Sequence, residues 1–325
     1  MNDIAKKISV IMSVYGYEQY IDDSIKSILN QTFKDFEFII INDGCSYDLL
    51  KKIEKFGDDR IVYMKNPENI GLTLSLIKAV EKSKGKYIAR HDAGNISLEN
   101  RFEIQHTFLE NNMRYQLIGS SVELIDENDN TICKIIANSN PDHTRKKMPL
   151  YNCINHSTII FRNNGEADYR GKFKYSQDYD FYLNLLSKKF ILGNTEEVLL
   201  KERVIPSSIT YARKNEQEFF RNRARQFYFE RIKYGRDSYD SMEITKNISE
   251  PDQSYREKNE SEGLYFYNKQ KIYYQLFSGR VKEARKGILE LLKIRYDLKL
   301  SLYLMASFLP FLVRLVNKIK GREYR

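Results

Sequence analysis

The sequence predicts an α/β fold: a mostly parallel, Rossmann-like sheet flanked by helices, followed by a C-terminal helical extension. Three observations predict it. The segments ISVIMSVY and FEFIIIND are short apolar runs of the kind that strands buried on both faces require. Between them, EQYIDDSIKSILNQ repeats Ile21, Ile25, Ile28 and Leu29 at helical spacing. From about Ala212 the chain becomes polar, helical and rich in Arg, Lys and Tyr.

The remaining elements follow in order. After the second strand come a turn (DGCS), a helix (YDLLKKIEKF), a short strand (RIVYMKN), a helix (LTLSLIKAVEKS) and a strand (KYIARHD). Strands alternating with helices of this length define βαβ units with right-handed crossovers. From about Asn100 the pattern changes to a helix (RFEIQHTFLENN) and short strands around QLIGSSVELID and INHSTIIFR, with a hairpin turn at Asp126 to Asn130. A further helix begins near Asp178. Asn247 to Ser261 reads as a loop or linker, and Leu264 to Lys320 as two or three amphipathic helices. The domain reading is thus 1–211 for the α/β body, with halves of about 1–99 and 100–211, and 212–325 for the helical region.

Composition narrows the function classes. The chain has 325 residues, 42% apolar and 30% charged, which is globular and not disordered. A formal net charge of +9 suits nucleic acid, nucleotide phosphates or an anionic membrane, or serves solubility alone. No RNP, KH or helix-turn-helix pattern accompanies it, so no nucleic-acid partner is expected. Three scattered cysteines, Cys45, Cys133 and Cys153, argue against a disulfide framework or zinc site and fit a reducing, cytoplasmic setting. No secretory signal opens the sequence, and no run reaches the roughly 20 apolar residues of a membrane span. The last helix, over 301–320, is apolar and then basic. It reads either as a surface helix at the inner face of an anionic plasma membrane or as a core helix, with Pro310 to kink it.

In an open parallel sheet, ligands bind at the carboxyl ends of the strands. Tyr15 follows the first strand, Asp43 the second, and Asp92 the fourth. An aromatic face at Tyr15 can stack on a base, and a carboxylate at Asp43 can accept from a base or ribose. Asp92 can hold a divalent cation against a diphosphate. Each also has a local explanation, Asp43-Gly44 as a turn and Asp92 as a helix cap; their convergence at one edge favours a site.

The run SVIMSVYGYEQYIDDSIKSILNQTFKDFEFIIINDGCSYD resembles the opening of glycosyltransferase family 2, whose members are inverting enzymes of the GT-A fold. NPENIGLTLSLIKAVEKSKGKYIARHDAGN is similar to that family's second part, and INHSTIIFR with YSQDYDFYLNLL to its acceptor half, so the likeness spans Ile8 to Thr210. The resemblance implies a nucleotide-sugar donor such as a UDP-sugar, and a glycan or lipid-linked acceptor. By it, Val14, Tyr15, Asp43, Arg90, Asp92 and Arg203 belong to the nucleotide-sugar site, with Asp92 also the ligand of Mn2+ or Mg2+. Arg203 is pictured in a loop closing over the diphosphate, or alternatively as an ordinary surface arginine. His156 and Asp180 are assigned to the acceptor. Asp178 matches the catalytic base, a role suited to a carboxylate at a helix N-terminus; simple capping, or Asp180 as the base, are the alternatives.

Two departures stand out. The D-x-D metal motif is reduced to Asp92-Ala93-Gly94-Asn95, so the second acid is missing. Asp92 with diphosphate oxygens, an added ligand such as His156, or a catalytically weak sugar-nucleotide-binding protein would each account for it. Ile205 stands where many relatives have histidine. With no tryptophan there is no QxxRW motif, so one sugar per acceptor, in surface polysaccharide synthesis, fits better than processive extrusion.

Overall fold

Six of the seven residues of β1 (Ile8–Val14) and all seven of β2 (Phe36–Asn42) are buried, as expected of central parallel strands. Each fully buried Ile, Val or Phe there contributes about 1.5–3 kcal/mol. The computed structural model describes residues 7–206, 213–243, 253–309 and 323–324. β1 pairs in parallel with β2 and with β4 (Tyr87–Arg90), and β2 with β3 (Ile61–Lys65). The crossovers are α1 (Ile21–Leu29), α2 (Leu49–Glu54) and α3 (Leu72–Lys82). Because these strands run together, the residues after β1, β2 and β4 emerge at one sheet edge.

The second half extends the sheet with mixed polarity. After β5 (Ile96–Ser97) and α4 (Arg101–Asn111), β6 (Tyr115–Ile125) pairs antiparallel with β7 (Thr131–Ile136). The turn between them is the expected one, with the Asp126 carboxylate accepting from the Asn128 and Asn130 amides at 3.0 Å. After α5 (Pro141–Lys147), INHSTIIFR is a strand only over β8 (Ile160–Arg162). His156–Thr158 forms a 3-10 turn whose first amides are met by Asn155. α6 (Gln177–Ser187) carries Asp178, and β9 (Ile191–Arg203) returns alongside β6. The sheet order is β10-β7-β6-β8-β4-β1-β2-β3, with β9 joining β6 and β5.

The C-terminal part divides differently from the expected boundary at 212. α7 (Lys214–Tyr234) buries Phe220, Ala224 and Phe227 in the same core as Phe181 and Leu185 of α6. α8 (Gln253–Phe277), α9 (Val281–Ile294) and α10 (Leu298–Ser307) instead form a separate cluster. Ile272, Leu276, Ile288 and Leu300 there pack against Val122, Leu124 and Leu200 of the sheet. The reading of 247–261 as a linker is corrected from Gln253 onward, where α8 begins; 247–252 lie outside the described residues. The last predicted helix is described only to Ser307, and Pro310 falls outside. Glu323–Tyr324 form β10, an antiparallel partner of β7 that the sequence pattern did not announce.

Candidate active site

Three segments bring the polar side chains together: the loop after β4, the turn before β8, and the first turn of α6. Arg90 ends β4, is 2% exposed, and donates from Nη1 to the Asp92 carboxylate at 2.7 Å while Nη2 faces the other oxygen. Ser157, in the 3-10 turn, also donates to Asp92. Burial alone would raise the Asp92 carboxyl, but the Arg90 charge and the Ser157 bond outweigh it and hold the group below its ordinary range. Arg101 lies beneath, fully buried, donating to the Arg90 carbonyl at 2.7 Å. Burial and the neighbouring Arg90 push its guanidinium down to about 9.

Asp178 faces the same group. Its carboxylate accepts from the Asn152 amide at 2.8 Å, and it lies within electrostatic reach of Arg90 and of Arg221 on α7. Burial raises its proton affinity above the ordinary aspartate range, against the pull of nearby amides and these cations. Tyr169 and Tyr182 lie between, each influenced by both Asp178 and Asp92. The Tyr182 hydroxyl is buried with no partner, as is Nε of Arg90. Unpaired buried polar atoms are rare and suit a site that a ligand completes. His156 shares a 2.7 Å hydrogen bond with the Tyr169 hydroxyl, and burial with Arg90 nearby keeps the imidazole neutral.

The structure therefore gathers Arg90, Asp92, His156 and Asp178. Tyr15 stands exposed past β1 at the same sheet edge. Val14 is buried, its carbonyl accepting from the Asp43 amide at 2.9 Å and from Cys45 Sγ. Asp43 is also buried; its carboxylate accepts from Asn66 Nδ2 at 2.8 Å and from the Ile70 and Gly71 amides at 3.0 Å. Three of about four acceptor positions of that carboxylate are thus filled by the chain, and its first role is to fix the loop that opens α3.

Two expectations are corrected. Asp180 is 1% exposed and forms a forked ion pair with Arg170, which also binds Asp237 at 2.7 Å. Two residues along a helix turn by about 200°, so Asp178 and Asp180 face opposite sides, and Asp180 joins α6 to the chain after α7 instead of meeting an acceptor. Arg203 is no mobile loop residue. It ends β9, stacks 4.1 Å over Tyr20, and donates to the Gly94 and Asp126 carbonyls and the Asp129 carboxylate. Its guanidinium clamps the loop after β4 and is not left to close over a diphosphate.

Sequence reasoning missed Glu202. Its carboxyl accepts from Asn155 at 2.6 Å and is pushed up to about 7, chiefly by burial and then by the Asp92 charge. The only signal was its place beside Arg203, hidden by reading that strand as a loop. Asn152, Ser157, Tyr169 and Tyr182 were also missed, since each is contributed by a turn or helix face that no motif marks.

The expected Mn2+ or Mg2+ finds few ligands. Both Asp92 oxygens are met by Arg90, Gly94 offers no side chain, and no group of three or more His, Cys, Asp or Glu that could hold a metal gathers among the described residues. A hard dication takes six or more oxygens, several from carboxylates or water, so the residues present do not make a metal site of their own.

The strand ends of this mixed sheet carry an arginine–aspartate pair facing a helix-borne carboxylate, on a fold of the GT-A type. The chain belongs to glycosyl transferase family 2, whose model matches residues 9–171, and it is a glycosyltransferase. It is 36% identical over 209 residues to an uncharacterized glycosyltransferase of Methanocaldococcus jannaschii, covering 61% of this chain and 70% of that protein. It is likewise 36% identical to the O-antigen biosynthesis glycosyltransferase WbnJ of Escherichia coli, covering 62% and 81%. Among solved structures, S. aureus TarS matches with TM-score 0.53 and 12% identity over 95% of this chain, which spans only 53% of that protein. TarS 1-349 in complex with UDP-GlcNAc matches with TM-score 0.52 and 12% identity, covering 83% of this chain and 85% of that one. These last two likenesses bear on the fold alone.

Proposed function

We propose that this protein is an inverting, non-processive glycosyltransferase that moves one sugar from a nucleotide-sugar, a UDP-sugar in the first instance, to a hydroxyl of a glycan or lipid-linked acceptor. The observation that carries this reading is Asp178, a carboxylate of raised proton affinity held by Asn152 within reach of the Arg90–Asp92 pair. A base works best when its pKa approaches the working pH, and burial moves Asp178 that way. Asp178 accepts the proton of the attacking hydroxyl while the acceptor oxygen bonds to the anomeric carbon. The bond to the diphosphate breaks on the opposite face, which inverts the configuration. Tyr15 stacks on the base, and Asp43 holds the loop around it with one acceptor position to spare. Val14 and Arg90 shape the floor of the nucleotide-sugar site, and His156 with Glu202 lies on the acceptor side.

The relatives' polysaccharide roles support surface-glycan synthesis as the setting, on the cytoplasmic side of the membrane. No helix among the described residues is long and apolar enough to cross a membrane. Leu298, Leu302 and Met305 of α10 and Phe308 just after it are nevertheless exposed, with Lys299 among them. We read this face as a peripheral contact with an anionic bilayer, where apolar and basic side chains act together. Sedimentation with vesicles containing phosphatidylglycerol, compared with neutral vesicles, tests it; equal binding to neither excludes the contact.

The experiment for the main reading is a donor-consumption screen over UDP-, GDP- and dTDP-sugars with polysaccharide and lipid-linked acceptors, followed by proton NMR of the product. Turnover with an inverted anomeric centre supports the reading. Donor binding without turnover for any acceptor supports the alternative of a non-catalytic sugar-nucleotide-binding protein, suggested by Gly94. Retention of configuration would contradict Asp178 as base.

A further inference from the structure

We propose that this chain transfers its sugar without a resident divalent cation, the Arg90–Arg101 guanidinium pair supplying positive charge beside the diphosphate while the Tyr17 ring fills the space of the absent second carboxylate. The inference rests on the nucleotide-sugar reading above and goes beyond it.

Gly94 is the first reason. Its φ is +94°, a backbone conformation that side-chain-bearing residues rarely adopt. A Cβ placed there would lie 2.7 Å from Cδ1 and 3.1 Å from Cε1 of the Tyr17 ring. The backbone cannot swing away, because the Gly94 amide donates to Ser24 Oγ at 2.8 Å and its carbonyl accepts from Arg203 Nε at 3.0 Å. Tyr17 itself has φ +59°, a strained conformation that persists only where the surroundings enforce it. The loop is thus built around a ring in that space, and not merely short of one acid.

The remaining donors are the second reason. Asp92 has both oxygens against Arg90 and one also on Ser157. Asn95, next in the loop, has its side-chain oxygen on the Arg203 amide at 3.0 Å. A cation arriving here would find about one open acceptor position on Asp92, the others being held by the chain's own bonds.

Charge is the third. Two buried guanidiniums, Arg90 and Arg101, lie beside the carboxylate of Asp92, and Arg90 is also within electrostatic reach of Asp178 and Glu202. Arg101 bonds to Gln105, Ser97 and the Arg90 carbonyl, none of them anionic. Arg90 Nε is buried and unpartnered. Arg101 has no acidic hydrogen-bond partner, and a buried charge without a counter-charge is costly, so its side of the pocket favours an added anion over an added dication. The chemistry balances without a metal. The acceptor oxygen bonds to the anomeric carbon, the carbon–oxygen bond to the β-phosphate breaks, and its electron pair leaves with the diphosphate. The hydroxyl proton passes to Asp178. The charge that grows on the leaving phosphate oxygen is met by Arg90, with the buried charge of Arg101 behind it.

The test uses the unmodified chain. Calorimetry of UDP, and then of GDP and dTDP, is run in excess EDTA and in excess MnCl2, and Mn2+ retention is read by electron paramagnetic resonance with and without nucleotide. The expected result is a nucleotide Kd that agrees within about twofold between the two conditions, with no Mn2+ retained in either state. A Kd weakened about tenfold or more by EDTA and restored by Mn2+, or Mn2+ retained with the nucleotide, overturns the inference and leaves the transferase reading standing. Binding of no nucleotide under either condition overturns both.

Discussion

The carboxylates at the two sides of the site are held in opposite ways. On the donor side, Asp43 and Asp92 are surrounded by donors from the chain itself, and Asp92 stays ionised against its own burial. On the proposed acceptor side, Asp178 takes a bond from Asn152 and from nearby backbone amides and Glu202 takes one from Asn155, yet burial raises both. At Asp92 a directly paired cation, Arg90, outweighs burial, whereas the neutral hydrogen-bond donors at Asp178 and Glu202 do not. One side therefore serves as a fixed frame and the other is able to take up a proton.

The sharpest way to break this contrast is to remove the acceptor-side acid. Asp178→Asn should lower transfer by about 10²–10⁴-fold while leaving UDP affinity nearly unchanged, since it removes proton acceptance and not the donor frame. Steady-state transfer and UDP calorimetry on the same preparation check this; a variant with wild-type turnover would end the comparison. The next effect is on stability and belongs to the neighbour on the opposite helix face. Asp180→Ala leaves Arg170 buried without its main partner and should cost about 3–5 kcal/mol, read by urea denaturation. Asp180→Ala with normal stability and impaired acceptor KM would return Asp180 to the acceptor site. Gly94→Asp, which looks like restoring the motif, should instead destabilise by about 1–3 kcal/mol through the strained φ and the Tyr17 ring, without creating Mn2+ dependence.

The last effect concerns the pH dependence of stability, through Glu202. Its folded pKa of about 7 lies above the ordinary value, so the folded state binds more protons than the unfolded one between about pH 4.5 and 7. Stability is then lost as pH rises through that window. Glu202→Gln removes the loss, and its melting temperature relative to wild type should rise by a few degrees between pH 5 and pH 8, at most about 2–3 kcal/mol. A difference that does not change with pH would show that Glu202 is not held protonated.

The same contrast explains what the sequence made legible. β1, β2 and β4 were readable because strands buried on both faces need unbroken apolar runs, and their ends led directly to Tyr15, Asp43 and Asp92. Asp178 was readable through the helix it begins and the family pattern around it. β9 was not, because ILGNTEEVLLKER mixes polar residues into a strand with bulged pairing to β6, and its loss hid Glu202 and misassigned Arg203. Asp180 was within reach of helical geometry, since its spacing from Asp178 already sets it on the far face. The Tyr17–Gly94 contact joins two loops through positive φ angles, which no residue pattern encodes.

The proposed base is Asp178, and not Glu202. The direct test is the pH dependence of kcat/KM for transfer in the wild type and in Glu202→Gln. With Asp178 as base, the rate rises with pH through an apparent pKa above the ordinary aspartate range, and the same rise is retained in Glu202→Gln. Disappearance of that rise in Glu202→Gln, with a wild-type midpoint near 7, would make Glu202 the base and contradict that assignment.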